Sequence, residues 1–457
     1  MDAKLEAGEA APPGTFGTFT GRGARGRPGR RPAETPDAAL GAEALVSTIR
    51  GKFPFISGAF NAVDDPRAPE RILYTPATLL WTITLGFLTR CGSRNAMDAD
   101  RNDEGYARTV AALSGQDWWP EGERLTAPCT GTACGFLEHV EPADLEGVLT
   151  EAVYTLVRRK QLDWARFGGC FAVAVDGTKQ ENCRAGHTVD GRDMRMALEA
   201  KLVGPDGLAL PLLTEPVDQY DDERGKHDCE LKAFRRLAAR LKAAFPRLRI
   251  CILGDALFAC ETVFNICEGN RWSFILTFKE GSHPAVAAEV EALMGLERDN
   301  RAAVDVEDGR IELGWLGRVQ FAKRDLQVVR CLETGRRPYN GAFVTDLGIC
   351  GGTDALDICT WGRRRWNIES DFNVEKHGGF GLEHTFCTSD RQAANMHLLM
   401  LLAHLLWQVV FRGVLRRIYA GCRKLAQEKL VKLIQRVLHM RGPPSTGRQF
   451  QLRFSTG

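Results

Sequence analysis

Apolar residues along this chain follow two rhythms. Between about 45 and 150 they recur at helical spacing, and segment 75–90, TPATLLWTITLGFLTR, is apolar almost throughout, as in a helix buried within a bundle. Thr75 is placed to cap that helix and Pro76 to take its first position, where the missing N–H would have no partner anyway. A second helix is expected from about Asp144 to Lys160.

At 171 the rhythm shortens. FAVAVDGT (171–178) is a short apolar run closed by Asp-Gly, which predicts a buried strand followed by a tight turn. Two more strands are expected at 197–203 (ALEAKLV) and 208–213 (LALPLL), with Pro-Asp-Gly at 205–207 turning between them. Leu231, Phe234, Leu237 and Leu241 then set a helix over 226–244. RICILGD (249–255) predicts a fourth buried strand ending in an acid, followed by a helix at 258–268 and a strand at 272–278. Residues 285–355 read as a separate, mostly extended insert carrying IELGW, RVQFA, LQVVRCL and AFVTDL. Helices return at about 363–377, at 393–411 and, with basic character, at 414–440; Gly442-Pro443-Pro444 opens a tail expected to be disordered.

Composition changes this picture in a few places. A chain of 457 residues suggests about two to four modules, and 44% hydrophobic residues suffice for a large core. The formal net charge is only +2, but from Arg412 to Gly457 stand eleven Lys or Arg against one acid, Glu428. That end suits a polyanionic partner, or else forms a solvated helix face. Five arginines among Gly, Ala and Pro at 21–32 make an arm that cannot fold by itself. It reads as a contact for DNA phosphates, or equally as a by-product of GC-rich coding or of an inaccurate start site. The 14 cysteines contain no C-x-x-C pair, which fits a reducing cytosol and argues against structural zinc. The first twenty residues include Asp2, Glu6 and Glu9 without an apolar run, so no secretory signal is expected. Met396–Val410 is short for a membrane span and holds His397, His404 and Gln408; it is read as a buried core helix, with no membrane as partner.

The candidate chemistry lies in three acids. Asp176 closes the first strand and Asp255 the fourth. In an open α/β sheet, ligands gather beyond strand ends, so parallel neighbours would bring both carboxylates to one edge. Glu369 lies on the helix after the insert, in RRRWNIESDFNVEK. Arg365, Glu369 and Lys376 stand at i, i+4 and i+11, which at about 100° per residue is one broad face; Trp366 and Ile368 would pack inward. Singly, these acids read as a turn, a helix cap and a surface charge. Together they meet the needs of phosphodiester chemistry, where hard oxygen ligands hold two Mg²⁺ ions about 3.5–4 Å apart and cations bind the phosphate oxygens.

On these residues the chain resembles the DDE transposases of bacterial insertion sequences, specifically the insertion-sequence-4 group. That group carries Y-x2-R-x3-E-x6-K. Arg365, Glu369 and Lys376 match at the right spacings, while the tyrosine position is Gly362, with Trp361 adjacent. The group's other two motifs are similar to Asp176-Gly177-Thr178 and to GDALF at 254–258, and a β-rich insert before the glutamate is a trait of the group. The resemblance spans about 170–410.

The resemblance implies an α/β fold: a ribonuclease H-like mixed sheet with flanking helices, a β-rich insert before the last catalytic helix, and an N-terminal helical domain. The division would be a disordered arm (1–44), a helical DNA-binding domain (45–165) without a clear helix-turn-helix, the first part of the catalytic domain (166–284), the insert (285–355), the last part of the catalytic domain (356–411), and a basic helix and tail (412–457). Asp176, Asp255 and Glu369 would be the catalytic residues and the ligands of two Mg²⁺ (or Mn²⁺) ions. Arg365 and Lys376 would contact DNA. Trp315 or Trp272 would stack on a flipped base, unless each is a core tryptophan. The implied reaction hydrolyses the phosphodiester at an element's end, and the freed 3′-hydroxyl attacks the opposite strand or target DNA. The implied partner is double-stranded DNA at element ends and target, engaged by a homodimer in a cytoplasmic, nucleoid-associated protein. Two alternatives stand beside it: another ribonuclease H-like nuclease, and an inactive transposase-derived DNA-binding protein, to which Gly362 points.

Overall fold

The computed structural model describes residues 36–454, apart from 118–125, 183–193, 218–228, 298, 337, 388, 421, 423–426 and 445–446. The arginine-rich segment 21–32 lies outside the described residues. Residues 38–44, expected as part of the arm, instead open helix Ala38–Lys52: Asp37 accepts from the amides of Ala39 and Leu40, and Ala42, Ala44 and Leu45 are buried. Among the described residues six more α-helices follow before 160, including Pro76–Leu88 and Pro142–Arg158. Thr75 caps Pro76–Leu88 as expected, accepting from Thr78 N at 3.2 Å, and the helix is buried from Ala77 to Leu88. Its continuous apolar sequence is explained by its neighbour, the long helix Asp390–Val410, which crosses it in the principal core. That long helix is apolar and long enough to cross a membrane, and is almost wholly buried within the protein.

One large mixed sheet follows. Its strands are β1 (Arg166–Phe167), β2 (Cys170–Asn182), β3 (Met194–Gly204), β4 (Leu208–Pro216), β5 (Ile250–Gly254), β6 (Ser273–Phe278), β7 (Arg301–Val306), β8 (Gly309–Phe321), β9 (Arg324–Gly335) and β10 (Tyr339–Thr345). The order is β4-β3-β2-β5-β6-β10-β9-β8-β7, with β1 beside β2. The β2–β5 and β5–β6 pairs are parallel and the others antiparallel. The extended segment expected as a separate insert therefore continues the same sheet. Ala342–Thr345 of β10 pair with Ile275–Phe278 of β6 and cover what would otherwise be an open edge. The segment also opens with a helix, Pro284–Leu296, rather than a strand.

Side chains alternate across the sheet. Phe171, Val173 and Val175 face the principal core together with Phe234 and Leu237 of helix Glu230–Ala244. Ala172 and Ala174 face a second core, closed by Ile358 of helix Gly352–Arg363 and by Ile368 and Phe372 of helix Trp366–His377. That second core holds the candidate catalytic helix against β2.

The C-terminal end departs from expectation. The basic helix is broken into a π turn, Phe411–Leu415, a short helix, Arg416–Ile418, and helix Gln427–Met440. The tail is docked. Leu452 fills the space above Gly413, Arg453 N donates to Gly413 O at 3.0 Å, and Phe454 stacks on Trp164 with ring centroids 5.7 Å apart. Phe450, Leu452 and Phe454 alternate with polar residues, a short period-two signal hidden behind the Gly-Pro-Pro that suggests disorder.

Candidate functional site

The site begins with a register. β2 and β5 pair in parallel from Phe171↔Ile250 to Ala174↔Leu253, so Asp176 and Asp255 each stand two positions beyond the last pair, on adjacent strands. Neighbouring strands lie about 4.8 Å apart, which places the two acids side by side. β5 stops at Gly254, where a Cβ would press on Phe258 at 2.9 Å, and Asp255 Oδ1 caps the following turn by accepting from Leu257 N at 2.9 Å. Contrary to expectation, Asp176 does not end its strand. β2 runs on to Asn182 beside β3, so Asp176 lies in the middle of β2 where its parallel neighbour has ended.

Glu369 is brought to Asp176 by an arginine. Arg365 Nη1 lies 2.7 Å from Glu369 Oε1 and 3.3 Å from Asp176 Oδ2, and Arg365 is 8% exposed. Burial pushes the Asp176 carboxyl up to about 7; Arg365 opposes this, whereas Glu369 and, more weakly, Asp255 reinforce it. Asp176 therefore senses both other acids. The three do not form a single-ion cage: among the described residues, the acid and histidine group whose ligand atoms all lie within 4.8 Å of one another is Asp371, Glu375 and His404. Lys376 shares the helix but pairs with Glu383 at 3.2 Å rather than with the three acids. Trp366 turns outward, 42% exposed, with Arg365 over its ring at 5.2 Å, while Ile368 does pack inward.

Glu230 approaches Asp255 from the other face of β2 and escapes a reading of the sequence. Its carboxylate occupies the space above Gly177 that any side chain there would need. Burial, and then the neighbouring Asp255, raise its carboxyl above the ordinary range. In sequence it is only an acid in the first turn of a helix, a common favourable placement; what it faces is a matter of tertiary packing.

Gly362 has a steric explanation. A Cβ at that position would meet the ring of Phe343 on β10 at 2.6 Å, so the space of a side chain there is already filled. The two tryptophans differ. Trp272 is in the principal core, 3% exposed, and has no ring face to offer a base. Trp315 is nearly buried too, but borders a cavity of about 590 Å³ between helix Pro284–Leu296 and β7–β8, with Met294, Arg301 and Arg330 on its wall.

No protein-family model matches this chain, and no curated protein sequence matches it. Among solved structures it is similar to a piggyBac transposase synaptic complex with hairpin DNA, at 8% identity over 88% of this chain and 81% of that one, with a TM-score of 0.39.

Proposed function

We propose that this protein is a DDE-type DNA transposase of the insertion-sequence-4 kind, which cuts element ends and joins them to target DNA. The observation that carries the reading is the Arg365 guanidinium between Asp176 and Glu369, with Asp255 level with Asp176 on the next strand. The order β4-β3-β2-β5-β6, antiparallel to one side of β2 and parallel to the other, supports a ribonuclease H-like core.

The donor set fits Mg²⁺ or Mn²⁺: the hard carboxylates of Glu369 and Asp255 stand near enough to act on Asp176, and burial with like charge drives Asp176 toward a neutral form that a cation would reverse. Asp176, Asp255 and Glu369 would hold two ions, with Glu230 near Asp255. When bound, the ions supply charge neutralisation and Lewis-acid polarisation of the phosphodiester. Arg365 holds Asp176 and Glu369 in place and has further N–H groups for a phosphate oxygen. Lys376, tied to a partly exposed partner, would exchange Glu383 for the DNA backbone. The partner is double-stranded DNA, at element ends and target, bound by a homodimer in the nucleoid-associated cytoplasm.

The test uses the purified chain, Mn²⁺ or Mg²⁺, and linear duplexes carrying the DNA that flanks its gene, intact or pre-cut at the element end. Wild type should cleave the intact duplex and join the pre-cut one; Asp176→Asn should do neither while still binding DNA. Cleavage by Asp176→Asn at the wild-type rate would end the assignment. A fold-related nuclease would cut without joining.

One observation favours a second reading. Arg365 already pairs with two of the acids, and the three acids do not converge as tightly as a single-ion cage. A transposase-derived protein kept only for DNA binding would have this arrangement, and would neither bind Mn²⁺ at these acids nor cleave.

A further inference from the structure

Helix Trp366–His377 carries Glu369 to the sheet, held there by apolar and charged contacts in equal number. Its buried positions are Ile368, Asp371, Phe372 and Glu375: two hydrophobic residues and two acids. The partner on the sheet is Lys201 of β3, which has no exposed surface. Its Nζ lies 2.8 Å from Asp371 Oδ2 and 2.6 Å from Glu375 Oε1, and 4.5 Å from the centre of the Phe372 ring. Glu199, also on β3, approaches the same ammonium at 3.1 Å.

Register ties this cluster to the candidate site. In the antiparallel β2–β3 pair, Lys201 stands opposite Ala174 and Glu199 opposite Asp176. Opposite residues share a face, so Lys201 projects from the same face as Asp176, one pleat away. On the helix, Asp371 is two residues beyond Glu369. The Lys201 contacts therefore pin helix to sheet beside the Asp176–Arg365–Glu369 group.

Asp371, Glu375 and His404 have the spacing of a metal cluster, but the Lys201 ammonium already stands between the two carboxylates. A buried ion pair differs from an apolar contact in one respect that matters here. Sliding or rotating the helix would leave buried charges unpaired, so the pair selects one placement where an apolar seam would accept several.

We propose that Lys201 is a positioning residue: its ammonium, bound by Asp371 and Glu375, sets where helix Trp366–His377 rests on β2 and β3 and hence how Glu369 stands against Asp176. The inference rests on the reading of Asp176, Asp255 and Glu369 as cation ligands.

Lys201→Met alone would leave buried acids uncompensated, so the informative variant is Lys201→Met/Asp371→Asn, which removes one charge of each sign. Asp371 is the acid to remove, since it accepts from Lys201 and Gln408 and faces His404 Nε2 at 2.8 Å. The full-length wild type, this variant and Glu369→Gln are compared for bound Mn²⁺ by electron paramagnetic resonance and for Mn²⁺-dependent nicking of supercoiled plasmid DNA, with the Tm of each recorded. The double variant should stay folded, bind Mn²⁺ about tenfold or more weakly, and nick with a kcat lowered by a similar factor and an unchanged KM for DNA, the scale typical of lost support behind metal ligands. If it does not fold, the isosteric Asp371→Asn is measured in its place and decides in the same way. Wild-type behaviour of Glu369→Gln would overturn the reading of the acids. Loss of both signals in Glu369→Gln, alongside wild-type Mn²⁺ affinity and kcat in the folded Lys201 variant, would overturn the positioning role alone.

Discussion

The carboxylate of Glu230 stands where a side chain on Gly177 would have to go. Gly177 is paired with Leu198 inside β2, so its glycine is required by this close approach and not by the turn that Asp-Gly suggests. The obstructing atoms are the far end of a flexible side chain, so Gly177→Ala should displace Glu230 rather than the strand. A loss of about 1 kcal/mol in denaturant unfolding is expected, most of it recovered in Gly177→Ala/Glu230→Ala. Equal losses in the single and double variants would mean that the two residues do not interfere.

The pH dependence of stability should carry the mark of Asp176. Its folded pKa of about 7 lies above the ordinary 3.8, so the folded protein holds this proton more tightly. The associated stability is fully present below the ordinary carboxylate range and is lost as pH rises from there through about 7, by up to about 4 kcal/mol. Asp176→Asn should flatten that decline in melts taken across the window without divalent ions. Mn²⁺ competes with the proton, so the Tm gain it gives wild type should grow with pH over the same range. A gain equally large in Asp176→Asn would place the ion elsewhere.

Arg365 and Lys376 should separate in their effects, although both are cations of the same segment. Arg365 is buried against Asp176 and opposes the rise of its carboxyl. Arg365→Ala should therefore shift the pH midpoint of the Mn²⁺ effect upward. Lys376 pairs with a partly exposed acid, Glu383. Lys376→Ala should weaken DNA binding across sequences and lower the slope of log K against log salt by about one. Binding titrations at several salt concentrations measure the slope; an unchanged slope removes Lys376 from the DNA contact.

Gly362 offers a packing test. Gly362→Tyr should collide with the Phe343 ring and destabilise the protein by about 3 kcal/mol, on the scale of severe overpacking. Gly362→Tyr/Phe343→Ala should recover a substantial part. If Gly362→Tyr alone melts like wild type, β10 yields easily and the glycine has another cause.

Much of the local structure was legible in the order of residues. The short apolar runs at 171–175, 208–213 and 249–253 became β2, β4 and β5, and Thr75 with Pro76 opened a helix, because short buried strands and helix caps are written in residues only a few positions apart. The spacing of Arg365 and Glu369 likewise dictated an i,i+4 ion pair, since one helical turn sets that distance. Tertiary structure alone decided the rest. The end of β5 beside the middle of β2, Glu230 above Gly177, Phe343 in the place of a side chain at 362, the docked Leu452 and Phe454, and Lys201 between Asp371 and Glu375 all join residues far apart in the chain. No local pattern encodes such neighbours, because they arise from how sheet and helices share one packed interior, where each void filled by one segment is closed to another.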